Sequence, residues 1–121
     1  MAGRLGTEAD IVISESVLGN LLEAMDSMLL DSPSAGVFID GEAIDDEKGR
    51  FVHVKGMCQK DGIGICVATS EGGLEPTDEE VSLLKRNMPE GILMKVDVFA
   101  HQFSFYKISD SIQDATVLFS E

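Results

Sequence analysis

The stretch Gly62–Met88, GIGICVATSEGGLEPTDEEVSLLKRNM, decides how this chain is read. Its apolar run Ile63-Gly-Ile-Cys-Val-Ala68, continued by Thr69, has the length and β-branched content of a buried strand. Ser70 to Glu75 is a glycine-containing loop, and Pro76 leads into a helix that opens at Thr77. Thr77-Asp-Glu-Glu80 has capping-box spacing: the Thr77 hydroxyl can accept from the Glu80 amide while the Glu80 carboxylate accepts from the Thr77 amide. Acidic residues 78–80 suit the positive end of the helix dipole, and Lys85 and Arg86 suit its negative end. Val81, Leu84 and Met88 share the face expected to pack on the core, and Pro89-Glu-Gly91 stops the helix. Strand–loop–helix steps of this kind position chemistry in many α/β proteins. Here the residues that would perform it are largely missing.

Upstream, Ile11-Val-Ile13 is a candidate short edge strand, and Ser14 is a candidate N-cap. Val17, Leu18, Leu21, Leu22, Met25, Met28 and Leu29 follow at the spacing of one helical face. Pro33 ends that helix, because proline disfavours helical geometry in the residue before it. Ala35–Ile39 is expected to be a short strand, with turn chemistry at Asp40-Gly41 and again at Asp45–Gly49. Phe51–Lys55 would pair with it through a long loop, and Lys60-Asp-Gly62 makes the next turn.

Downstream, Ile92–Phe99 and Gln102–Ile108 alternate with period two and read as an antiparallel pair around Ala100-His101. Ser109–Asp114 reads as a turn or a single helical turn, and Ala115–Phe119 as a last strand. The predicted fold class is an α/β (α+β) sandwich with a mixed, mainly antiparallel sheet and two main helices, in the order (β)αβββαβββ. A roadblock/profilin-like sandwich is the rival, but it places two strands rather than three between its helices.

The whole-chain properties bound function. The 121 residues form one expected domain, 1–121, and no apolar run approaches the roughly 18 residues of a membrane span. The N-terminal MAGRLGTEAD lacks the apolar core of a signal peptide, so a cytoplasmic location is expected. Net charge is −13, from 22 acidic and 9 basic residues, and the basic ones are scattered, which argues against nucleic acid as a partner. Cys58 and Cys66 form no CxxC pair and are expected to be reduced, Cys66 as a small core residue.

Motifs for catalysis are sparse. A zinc site needs three or four converging His, Cys or carboxylate ligands. His53 and His101 are the only histidines, and neither HxH, HxxxH nor HExxH spacing occurs. A non-local site joining His53, His101, Cys58 or Cys66 stays open as the basis of an unrelated enzyme. Walker, GxGxxG and GxSxG motifs are lacking. Asp45, Asp46 and Glu47 lack EF-hand spacing and read as a solvated turn.

Val67-Ala-Thr69, then seven residues, Thr77, then two residues and Glu80 resembles the JAMM motif of the JAB/MPN (Mov34-like) metalloproteases. That family carries His-x-His, a serine and an aspartate at similar spacing. Gly72, Leu74 and Pro76 fall where it often has a glycine and a Pro-Ser before its helix. Gly-Val-Phe-Ile-Asp-Gly41 after Pro33 is similar to its early strand, and the stretches 92–97 and 103–108 to its closing strands. The resemblance implies a JAB/MPN-like fold with cytidine-deaminase-like layering. It also places Val67 and Thr69 at the zinc-binding histidine positions, Glu80 at the aspartate and Thr77 at the serine. The catalytic glutamate would fall near Pro33 to Ala35, where no residue is acidic.

What this implies is a pseudoenzyme without cofactor or metal, acting as a protein–protein interaction or scaffold module, with a protein partner or a second copy of the chain. The competing reading is a small-ligand-binding domain using the Ser70–Thr77 loop and the helix N-terminus.

Overall fold

The computed structural model describes residues 10–46, 49–59, 62–71, 73–87, 91–108 and 112–120. Their elements are β1 (Ile11–Ser14), α1 (Glu15–Leu29), β2 (Ser34–Asp46), β3 (Gly49–Cys58), β4 (Gly64–Thr69), α2 (Asp78–Asn87), β5 (Ile92–Asp97), β6 (Gln102–Ile108), β7 (Ile112–Asp114) and β8 (Val117–Ser120). Eight strands form one sheet in the order β7-β6-β5-β4-β2-β3-β1-β8. The pairs β2–β3, β2–β4, β5–β6 and β6–β7 are antiparallel. The pairs β1–β3, β1–β8 and β4–β5 are parallel. This is the mixed α+β sheet with two helices anticipated from the sequence, extended by one strand.

The helices cover opposite faces of the sheet, as strand parity shows. Cys66 and Ala68 of β4, with Met94 and Val96 of β5, pack with Leu21 and Met25 of α1. The alternate residues Ile65 and Leu93 pack with Leu84 of α2. β4 and β5 are therefore buried on both sides, which is why each reads as a nearly continuous apolar run. Ser14 caps α1, its Oγ accepting from the Val17 amide at 3.1 Å. Met28 departs from the expected core stripe and is exposed.

Several local expectations are corrected. β1 is not an edge strand: it lies between β3 and β8, parallel to both, with Ile11 and Ile13 fully buried. β2 runs on past Ile39 to Asp46, and its pairing with β3 continues to Asp46 opposite Gly49, so the long-looped hairpin is a tight one. Asp40-Gly41 makes a bulge rather than a turn, marked by a register shift. A Cβ on Gly41 would overlap the His53 carbonyl, so only glycine permits that approach. Val98 and Phe99 belong to the turn before β6, and Ile112–Asp114 is a short strand where a turn was expected. Residues 1–9, Glu47, Lys48, Lys60, Asp61, Gly72, Met88, Pro89, Glu90, Ser109, Asp110 and Ser111, on which parts of the sequence reading fall, lie outside the described residues.

The sheet curls so that its two edge strands are joined by only Ala115 and Thr116. Asp10 holds this closure. Its Oδ1 accepts from Lys107 Nζ at 2.9 Å, and its Oδ2 from the Thr116 amide at 3.1 Å and hydroxyl at 3.2 Å. Burial opposes ionisation of Asp10, but the bonds from Lys107 and Thr116 outweigh it and hold the carboxyl below its ordinary value.

The close approach of β4 to β5 supplies a test. A Cβ at Gly64 would overlap the Ile92 carbonyl across the strand pair. Gly64→Ala should lower stability by about 1–3 kcal/mol, as overpacking does. The midpoint of urea denaturation measures this, and an unchanged midpoint would contradict the described register.

Candidate functional site

The ends of β2, β4 and β5 and the start of α2 meet on the α2 face of the sheet. β2 and β4 pair with Ser34 opposite Thr69 and Gly36 opposite Val67, and the Ser70 amide donates to the Pro33 carbonyl at 2.8 Å. β4 and β5 pair with Val67 opposite Lys95. The side chains of Val67 and Lys95 therefore leave neighbouring strands on the same face, with Thr69 one pleat further on. Val67 and Thr69 are both half-buried.

Glu80 comes down onto this patch from the first turn of α2. Its Oε1 accepts from the Thr77 amide at 2.9 Å, while the Glu80 amide donates to the Thr77 hydroxyl at 3.2 Å. The capping box read from the sequence is formed. The same carboxylate has a second partner: Lys95 Nζ lies 3.0 Å from Oε1 and 2.9 Å from Oε2. The Lys95 side chain is 4% exposed and that of Glu80 15%. An ammonium so far from water requires a carboxylate in contact, and Glu80 supplies both oxygens. Sequence reading missed Lys95, because a lone lysine in an alternating strand is expected to face solvent. Leu93, two residues earlier on the same side of β5, was the available sign that this face is covered.

The loop between β4 and α2 is stitched to the body through its backbone. The Gly73 amide donates to Asp97 Oδ2 at 2.9 Å, and the Tyr106 hydroxyl donates to the Leu74 carbonyl at 2.6 Å. Asp97 Oδ1 also accepts from the Phe99 and Ala100 amides. The Gly73 amide first, then those of Ala100 and Phe99, hold the Asp97 carboxyl below its ordinary value. The Thr77, Glu80 and Gly73 amides are thus already satisfied by this chain's own oxygens.

The other candidate residues are not brought together here. His53 lies on β3 in register with Val12 and Glu42, whereas His101 sits at φ 56° in the turn before β6. Cys66 is fully buried, and burial pushes its thiol up to about 12, which leaves almost no thiolate at neutral pH. Cys58 is half-buried and lines an apolar groove of about 430 Å³ with Gly36, Phe38, Ile65, Val67 and Leu83. Among the described residues, no three His, Cys, Asp or Glu side chains gather as metal ligands. Also among them, no helix is long and apolar enough to cross a membrane.

No family model matches the chain. An uncharacterised protein of Bacillus anthracis is 40% identical over 53 residues, which is 44% of this chain and 15% of that protein. The chain thus corresponds to only a small part of that relative's length. Among solved structures, a solution structure of a Desulfitobacterium hafniense protein is similar at TM-score 0.67 and 10% identity, over 92% of this chain and 93% of that one. A structure described as a metalloprotease-like JAMM zinc site of the proteasome and signalosome matches at TM-score 0.60 and 15% identity, over 89% and 97% of the two chains. A JAB1/MPN domain protein from Archaeoglobus fulgidus matches at TM-score 0.59 and 15% identity, over 88% and 97%. At these identities the likeness establishes a JAB/MPN-like fold.

Two tests follow from the Thr77–Glu80–Lys95 cluster. Thr77→Ala should cost about 1 kcal/mol as a lost cap. Lys95→Ala should cost about 3 kcal/mol or more, since it strands a buried carboxylate. Chemical denaturation of both variants checks the order, and equal losses would contradict the burial of the pair. Asp97 gives a pH test. Its folded-state pKa is depressed, so its contribution is present above the unfolded carboxylate value of about 4. It is lost as pH falls through the lower folded value. The protection of the Gly73 amide, its exchange rate relative to an unstructured amide at the same pH, should therefore be lost as pH falls below about 4, and should be lost already at neutral pH in Asp97→Ala.

Proposed function

We propose that this domain is a catalytically silent JAMM-like module that serves by binding another protein, or a second copy of itself, rather than by hydrolysis. The observation that carries this reading is the chemistry at the three ligand positions. Val67 offers an isopropyl group, Thr69 a hydroxyl, and Glu80 a carboxylate already engaged by Lys95 and the Thr77 amide. A catalytic zinc takes three nitrogen, sulfur or carboxylate ligands and needs a base to use its water. The zinc that the fold suggests does not fit this donor set. At the start of β2, the stretch beside Thr69 where a base would stand is Pro33, just before the strand, with Ser34 and Ala35.

A fold carries its function only through the site built on it, so the fold alone assigns no hydrolysis to this chain. The interaction role is supported by the apolar groove beside Val67, bordered by Leu83, which is 43% exposed. The net charge of −13 over the chain would favour a partner that carries basic residues. No specific observation favours the small-ligand reading of the Ser70–Thr77 loop, whose amides at Gly73 and Thr77 are bonded internally.

Metal analysis tests the silent site. Protein purified without chelator and dialysed against zinc should carry no stoichiometric metal, and one tightly held zinc per chain would overturn the reading. The groove is tested separately. A protein that binds the wild-type chain should lose affinity for Leu83→Asp, and undiminished binding would remove the groove from the proposal.

A further inference from the structure

We infer that Lys95 is the resident cation of this site: its ammonium stands where residues 67, 69 and 80 would converge on a metal, and it excludes a divalent ion. This inference rests on the proposal that those positions correspond to the ligands of the JAMM motif. A side chain of the protein thus supplies the positive charge that a metal would otherwise bring.

The geometry supports it from three sides. Val67 and Lys95 are direct neighbours in the β4–β5 pairing, so the lysine rises from the sheet beside the first of the three positions. Glu80 closes the patch from α2, and both of its oxygens lie within 3.0 Å of Lys95 Nζ. Thr69 continues the same face of β4. A zinc ion bound here would have to lie about 2.0–2.2 Å from a Glu80 oxygen. That carboxylate already contacts an ammonium whose side chain is 4% exposed, with little water to screen a second positive charge. The two cations compete for one anion, and the tethered one is always present. With charge balance supplied by the chain, an apolar residue at 67 and a hydroxyl at 69 are compatible with the site.

The experiment restores imidazoles with and without the lysine. The double variant Val67→His/Thr69→His and the triple variant that adds Lys95→Ala are dialysed against zinc, and bound metal is measured. Cobalt substitution reports tetrahedral geometry by its visible absorption. The expected result is one zinc per chain in the triple variant and none above the wild-type level in the double. If the double variant binds zinc as tightly as the triple, Lys95 does not exclude the metal; the inference fails while the ligand-position reading stands. If both variants fold and neither binds, the positions do not converge as ligands, and the reading fails together with the inference.

A second measurement does not depend on those variants folding. In Lys95→Ala alone, the cavity left beside Glu80 should accept a small ammonium. Ethylammonium chloride should then raise the melting temperature above that in equal sodium chloride, an effect not seen in the wild-type protein. Equal melting temperatures in the two salts would overturn the claim that the site requires a cation.

Discussion

The carboxylate of Glu80 is the joint on which this structure turns. It accepts from the Thr77 amide just before its own helix and from a lysine of the sheet, so helix start and strand are fixed to one group. A lysine buried in β5 is tolerable only with an anion in contact, because an isolated buried charge costs several kcal/mol. That requirement selects where α2 sits. Shifting the helix by one residue along its axis would move the carboxylate by about 1.5 Å and break a geometry in which both oxygens are used. Buried ion pairs of this sort add little net stability against an apolar alternative, but removing one partner is strongly destabilising.

The opposite face has a different logic. There α1 lies on a layer of aliphatic side chains, Ile11, Ile13, Cys66, Ala68, Met94 and Val96 among them, and its stripe is held by apolar burial. Shape, rather than charge, positions it. The curl of the sheet is closed by a third device, the Asp10 carboxylate bonded to Lys107 and Thr116. One acidic residue thus anchors α2, and another ties together the first and last parts of the sheet.

These constraints bear on function. The fold brings the start of β2, the end of β4 and the start of α2 of this chain to a common place. The atoms delivered there are those of Val67, Thr69 and a lysine-bound glutamate, and any function rests on that set rather than on the fold. The half-exposed apolar groove beside these residues then becomes the more telling surface.

Features that depend on near neighbours along the chain are legible without coordinates. The capping box at Thr77–Glu80 spans four residues, the Ser14 cap and the α1 stripe belong to one helix, and the alternation of residues 92–108 marks an antiparallel pair. The spacing from Val67 to Glu80 was likewise legible, and with it the likeness in fold. That β1 lies inside the sheet comes from long-range packing, because its parallel partners Val52–Val54 and Val117–Ser120 are remote in sequence and leave no local signal. The same holds for β7, too short and polar to announce itself. It holds most of all for Lys95, whose burial depends on a helix docking over its strand. Periodicity reports which side of a strand a residue takes, and only packing reports what covers that side.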